Sequence, residues 1–249
     1  MGEYGYDPLW PDERRRLALI ERIWDPVTTS LLERLGVSAG WRCLDVGAGG
    51  GSIARWLRDR VGADGTVVAV DLDTRFFEGE KGIEARRIDI LDEDLERDAY
   101  DLVHCRLLLH HLRGKELDAV RRMVAALRPG GVLLATEPYL GAMFSSPTPA
   151  LATMWKALDE AMPNANFVWA PALPATLEAA GLTEVEAVGR ADVVRGGTPE
   201  ADVLGLTVKA VRERIPDGVD IDAGLDLLNH PTTLEPGVVW YHAWGRRPA

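Results

Sequence analysis

The stretch Cys43-Leu44-Asp45-Val46-Gly47-Ala48-Gly49-Gly50-Gly51-Ser52 constrains this chain more than any other. An apolar run of strand character ends in a glycine cluster, and a helix-compatible segment from Ile53 to Arg60 follows directly. Glycines at 47, 49 and 51 remove Cβ atoms where a backbone must turn sharply and where a ligand must approach it closely. The next strand-like run, Thr66 to Val70, ends in Asp71, a carboxylate able to accept both hydroxyls of a ribose. A glycine turn after one strand and an acid at the tip of the next is how doubly wound α/β folds hold adenosine-containing cofactors.

Two such cofactors compete, a dinucleotide and S-adenosylmethionine. The dinucleotide fingerprint needs a third glycine for close helix packing and presents a helix N-terminus to a pyrophosphate. Here Ser52 occupies that third position, and Asp45, two residues before the first glycine, is a poor neighbour for a pyrophosphate. The acid suits a cationic group such as the ammonium of a methionine. Further segments follow in order: Val70-Asp71-Leu72-Asp73, Arg87-Ile88-Asp89-Ile90-Leu91, Tyr100-Asp101-Leu102-Val103-His104-Cys105-Arg106 and Leu127-Arg128-Pro129-Gly130-Gly131-Val132-Leu133-Leu134. With these, residues 36–140 resemble the class I S-adenosylmethionine-dependent methyltransferases, of the bacterial small-molecule and natural-product type.

From Trp41 to Glu137 the apolar pattern alternates between strand and helix. Strands are expected at 42–46, 66–71, 84–88, 100–105 and 131–137, and helices at 52–62, 74–80, 93–97 and 115–128. That alternation predicts a parallel sheet with right-handed crossovers and ligands at the carboxyl ends of its strands. Ahead of it, acids after Pro11 and helical spacing of Leu17, Ile20, Ile23 and Trp24 predict one helix, which Asp25-Pro26 breaks before a second over 27–35. These helices form an expected N-terminal cap over 1–35, with the cofactor-binding domain over 36–249. Beyond Pro138 a helix at 150–162, a helix at 174–180 and a strand at 182–190 are expected. Helices at 199–214 and 222–228 and a last strand over 238–244 follow. The resemblance implies a seven-stranded Rossmann-like, mostly parallel sheet with an antiparallel last strand. It also implies helical insertions at about 140–170 and 196–236 that shape a substrate pocket.

Composition excludes several functions. Of 249 residues, 28 are basic and 39 acidic, a net charge of −11, which opposes a nucleic-acid binder because phosphate neutralisation needs a basic face. Cys43 and Cys105 fall in expected strands and read as small buried apolar residues, not as a disulfide or a metal site. No apolar run approaches a membrane span, and no basic n-region with an apolar run opens the chain, so a reduced cytoplasmic enzyme is expected. No acidic pair stands clear of the adenosine-binding set, so no metal is expected.

The resemblance implies roles residue by residue. Gly47, Ala48, Gly49 and Gly51 would pack under the cofactor, and Asp45 would lie near its methionine ammonium. Asp71 would accept from the ribose, with Leu72 against the adenine. Asp89 and the Ile90 backbone would read the adenine edge, and Cys105 and Arg106 would meet the cofactor's middle. Arg106 is equally suited to bind an acid of the N-terminal helices. S-adenosyl-L-methionine, with S-adenosyl-L-homocysteine as product, is the expected cofactor. The partner is a small-molecule methyl acceptor, with no nucleic acid and no membrane; pairing of two copies through the N-terminal helices is left open. An O–H acceptor needs a general base, and His111, His110 and His242 are the candidates, whereas His104, inside a strand, reads as structural. Glu137, Tyr139, Met143, Trp155, Trp169 and His230 are candidate substrate-pocket residues. Trp24, Trp155, Phe167 and Trp169 with Met143, Phe144 and Met154 would give an apolar pocket for an aromatic or lipophilic molecule. The expected reaction is methyl transfer to O, N or an electron-rich carbon in specialised metabolism. A non-catalytic cofactor-binding regulator and an NAD-dependent oxidoreductase are the rivals.

Overall fold

The computed structural model describes residues 9–249. Helix α1 (Glu13–Arg34) precedes β1 (Arg42–Val46), α2 (Ser52–Val61), β2 (Thr66–Asp71), β3 (Glu84–Arg87), β4 (Tyr100–Arg106), α3 (Glu116–Ala126) and β5 (Leu127–Tyr139). There follow α4 (Gly141–Phe144), α5 (Pro149–Ala161), α6 (Leu173–Ala179), β6 (Thr183–Arg195), α7 (Pro199–Lys209), α8 (Ile221–Asn229) and β7 (Leu234–Arg246). The strands form one seven-stranded sheet in the order β3-β2-β1-β4-β5-β7-β6. Strands β1 to β5 pair in parallel, and β7 runs antiparallel between β5 and β6, as expected. Strand order reverses between β1 and β4, where Asp45 stands beside His104, and that switch point opens a crevice at the strand tips.

Strand alternation sorts the core. Leu44, Val46, Val103 and Cys105 face α3 and α6, while Cys43, Leu102 and Leu134 face α2 and the second half of α1. Because both faces are covered, β1, β2 and β4 read as nearly unbroken apolar runs. A third core stands apart from the parallel strands: Leu151, Trp155 and Leu158 of α5, Leu204 of α7 and Leu225 of α8 gather against Val238 and Trp240 of β7. The two insertions thus share one hydrophobic cluster.

The expected break at Asp25-Pro26 is corrected: α1 is a single 22-residue helix with Pro26 inside it. Tertiary contacts outweigh the missing N–H. The Thr28 hydroxyl donates to the Trp24 carbonyl at 3.2 Å, Asp25 accepts from Arg106, and Leu31 and Leu32 are buried on α2's side of the sheet. The expected helix at 74–80 is a turn, in which Phe77 and Glu78 donate to the Thr74 carbonyl before Gly79 takes φ +78°. Phe77 plugs the core there instead of pointing outward from a helix. The expected helix at 93–97 is also absent, because Asp89 accepts from the backbone N–H of Asp92 and Glu93 and closes a turn. Strands β5, β6 and β7 run longer than their apolar segments, since antiparallel pairing of Leu234 with Arg195 and of Val239 with Tyr139 carries the ladder outward.

Two measurements follow. Pro26→Ala restores a helical N–H and removes a ring from the helix interior, and should stabilise the fold by about 1–3 kcal/mol, seen as a raised melting temperature. His242, on β7, lies 3.0 Å from Thr136 Oγ1 on β5, and burial, then the charges of Arg190 and Arg106, lower its pKa to about 4. The unfolded chain takes the proton at higher pH than the folded one. This contribution to stability is therefore intact above about pH 6.5 and is lost as pH falls toward 4. His242→Gln should shrink the stability difference between pH 7 and pH 4.5 by about 1–3 kcal/mol in urea titrations; an unchanged acid slope would refute the assignment.

Candidate active site

The tips of β1, β2 and β4 open into a cavity of about 570 Å³, within the roughly 300–1,000 Å³ of small-molecule sites. Helix α1 lies over it through Arg16, Leu17, Ile20, Glu21 and Trp24. The far wall is apolar, from Leu107, Leu140, Leu158, Phe167, Val203, Leu204, Val238 and Trp240. Trp24 and Trp240 meet there with ring centroids 4.6 Å apart, joining the cap to the last strand.

The glycine loop forms the near wall. Gly47 and Gly49 hold φ of +71° and +57°, a region glycine enters without strain. A Cβ on Gly49 would meet nothing closer than Leu17 at 3.6 Å, so its absence leaves the loop backbone open to an occupant. Asp71 Oδ2 accepts the Gly49 N–H at 2.8 Å and its Oδ1 accepts that of Asp73 at 3.0 Å, which ties the tip of β2 to the loop after β1. Burial raises the Asp71 pKa, and these N–H donors oppose the shift.

Two imidazole–carboxylate pairs follow. Asp45 Oδ1 lies 2.7 Å from His104 Nδ1, both side chains buried. Glu137 accepts the N–H groups of Leu108, Leu109 and His110 at 3.0, 2.8 and 3.2 Å, and lies 2.7 Å from His110 Nδ1. These bonds hold the loop after β4 in a shape that puts Leu107 at φ +58°, a strained value for leucine. A carboxylate only accepts, so Nδ1 of each ring carries the hydrogen. The His111 ring lies against that of His110, with centroids 3.9 Å apart and planes tilted by 40°. Burial, then the charges of His110 and Arg16, hold its pKa well below the usual histidine range.

Of the residues named from the sequence, Asp45, Gly47, Ala48, Gly49, Asp71, Leu72, Asp89, Ile90, Arg106, His110 and His111 line this one cavity. Arg106 also binds Asp25 at 2.8 Å and Thr28 at 3.0 Å, so it anchors α1 as well. The others lie off the wall. Gly51 has φ +80°, and its Cβ would stand 2.8 Å from that of Phe77, so it serves the turn and its packing. Cys105 points into the core under α3. Glu137 is sealed beneath His110, Tyr139 faces Tyr241, and Met143 and Trp155 fill the insertion core. Trp169 packs on the core beside α6, His230 bonds Thr232 in an exposed turn, and His242 bridges β5 to β7. His104, expected to be structural, does line the cavity. The available signal was its strand parity with Arg106 and its polarity in an apolar strand.

The family model described as a methyltransferase domain matches residues 44–133. The ubiquinone/menaquinone biosynthesis C-methyltransferase UbiE of Pseudomonas fluorescens is 33% identical over 143 residues, 53% of this chain and 52% of that protein. The chain thus spans about half the length of that curated relative. Methyltransferase GfsG of Streptomyces halstedii is 29% identical over 97% of this chain and 80% of its own. Among solved structures, the [4+2]-cyclase SpnF shares the fold, with a TM-score of 0.57, 19% identity, and coverage of 90% of this chain and 82% of that one. Residues 44–133 thus carry the match to a methyltransferase domain, and they supply the glycine loop and most of the parallel strands of a sheet whose fold SpnF shares.

Proposed function

We propose that this protein transfers a methyl group from S-adenosylmethionine to O, N or an electron-rich carbon of a small, uncharged aromatic or lipophilic acceptor, as a cytoplasmic enzyme of specialised metabolism. The observation that carries this reading is one cavity with two unlike ends. One is a glycine and carboxylate cradle suited to an adenosyl ligand; the other is a wall of Trp24, Phe167, Leu140, Leu204 and Trp240.

The cradle fits the cofactor. The Gly49 backbone is open to a close approach, and both Asp71 oxygens retain lone pairs beyond their backbone donors. Asp71 would hold the ribose, Leu72, Asp89 and Ile90 the adenine, and Asp45 would face the cationic end. S-adenosylmethionine, when bound, supplies a methyl on a positively charged sulfur, ready for in-line displacement. The protein's part is then to orient the acceptor, exclude water and move a proton where the acceptor needs it. Helix α1 and the insertion helices supply the exclusion. His110 supplies the base: its Nδ1–H is committed to Glu137, which leaves Nε2 to accept a proton from an acceptor hydroxyl. Arg106 and Arg16, which line the cavity beside α1, already have carboxylate partners in Asp25 and Glu13, which favours an uncharged acceptor at that end.

Calorimetry with S-adenosylhomocysteine tests the first half. Wild type should bind it, and Asp71→Ala should bind about 10–100-fold more weakly, as expected for losing buried charge-assisted hydrogen bonds. Equal binding by the variant, or no binding by wild type, would remove the reading. With an acceptor found by a labelled-methyl screen, His110→Ala should lower kcat by about 10²–10⁴-fold for a hydroxyl acceptor while leaving cofactor affinity unchanged. An unaltered kcat would remove His110 as base.

A further inference from the structure

We propose that His104, fixed by Asp45, contacts the cofactor's methionine arm directly, its Nε2 accepting a hydrogen bond from the α-ammonium, while Asp45 acts as a positioning residue behind it. This rests on the S-adenosylmethionine reading above.

The pairing of β1 with β4 puts Asp45 and His104 side by side at the switch point, on the face that also carries Arg106. The 2.7 Å bond gives Nδ1–H to the carboxylate, so Nε2 presents a lone pair. That nitrogen is buried and has no hydrogen-bond partner among the described residues, although the ring lines the cavity. Buried polar atoms in native proteins are nearly always satisfied, and an orphan acceptor beside a binding cavity points to a donor on the ligand. A histidine kept only for packing would be satisfied at both nitrogens, or replaced by the valine and leucine that fill the rest of β4.

Position selects which donor. Asp71 and Asp89 mark the adenosine end, at the tips of β2 and β3, and Phe167, Leu140 and Trp240 mark the acceptor end. His104 lies between them, beneath the loop that starts at Gly47. Arg106, the cation on that face, is already bound to Asp25. An acceptor lone pair backed by a carboxylate matches a cationic N–H donor, and the ammonium of the methionine arm is the group that the adenosine cradle would bring there. A metal-ligating histidine is oriented by its second nitrogen in the same manner; here the imidazole is oriented toward an ammonium.

The test is calorimetric, on the intact protein, with three ligands. They are S-adenosylhomocysteine, its analogue lacking the α-amino group, and 5′-methylthioadenosine, which lacks the whole amino-acid arm. His104→Phe should weaken S-adenosylhomocysteine about 10–100-fold and leave the other two within about twofold. His104→Gln, whose amide oxygen can accept near the Nε2 position, should retain more affinity than His104→Phe. Unchanged binding of S-adenosylhomocysteine by His104→Phe, or equal losses for all three ligands, would overturn the proposal. Should both variants fail to fold, ¹⁵N spectra of wild-type histidines decide: the His104 Nε2 resonance should shift on adding S-adenosylhomocysteine and stay in place with 5′-methylthioadenosine, and the reverse would refute it. Wild type that binds none of the three would instead bring down the underlying functional reading.

Discussion

Burying charge without a partner costs several kcal/mol per ion, and that constraint shapes everything α1 closes over the strand tips. Its own Arg16 is locked to Glu13 by two bonds of 2.8 and 2.7 Å, both side chains nearly sealed. Asp25 of the same helix neutralises Arg106 of β4, and Asp45 and Glu137 each hold an imidazole. Because each pair joins two elements, or two turns of one, the pairs also fix geometry. Arg106 fastens the middle of α1 to β4, and Glu137 sets the loop after β4 from the tip of β5. Arg16, Arg106 and the two imidazoles therefore reach the cavity wall already paired with carboxylates.

The second constraint is backbone conformation at the loop after β1. Positive φ at Gly47, Gly49 and Gly51 lets the chain leave a buried strand and enter α2 within a few residues. Asp71 then uses one oxygen to hold the Gly49 N–H. The carboxylate read from the sequence as a ribose ligand therefore also shapes the loop that would lie under the ribose. On the proposed reading, a substitution at Asp71 would remove a ligand contact and a brace together.

What was legible in the sequence was the parallel half. Its strands are buried on both faces, so their apolar runs are nearly continuous, and their tips carry glycines and acids whose chemistry has few other uses. Asp45, Asp71, Asp89, Gly47 and Gly49 could be placed at one crevice because strand order puts them there. The N-terminal and insertion segments were less legible, since their conformation depends on partners distant in the chain. Pro26 argued locally for a break, yet Arg106, 81 residues from Asp25 and 78 from Thr28, holds both at that point of the helix. Within the parallel half, the expected helices at 74–80 and 93–97 are a turn and irregular backbone, where Phe77 and Leu95 are buried in the core. The aromatic residues of α5 and the loop after it were right in kind for a pocket and mixed in place: Phe167 faces the cavity, while Trp155 and Trp169 support it from behind.

That division has a physical basis. The cradle is built from backbone and short side chains on strands whose neighbours lie 4.7–4.9 Å away, so its geometry follows from the sheet and tolerates little change. The apolar wall rests on a separate hydrophobic cluster, contributed mainly by α5, α7, α8 and β7. Residues of that cluster can be exchanged for others of similar volume without disturbing β1 or β2. The two imidazole pairs respect the same boundary, His104 lying with the glycine loop and His110 beside Phe167. A fold arranged in this way lets the apolar end of the cavity change while the glycine-loop end stays constant, because the two ends draw their stability from different cores.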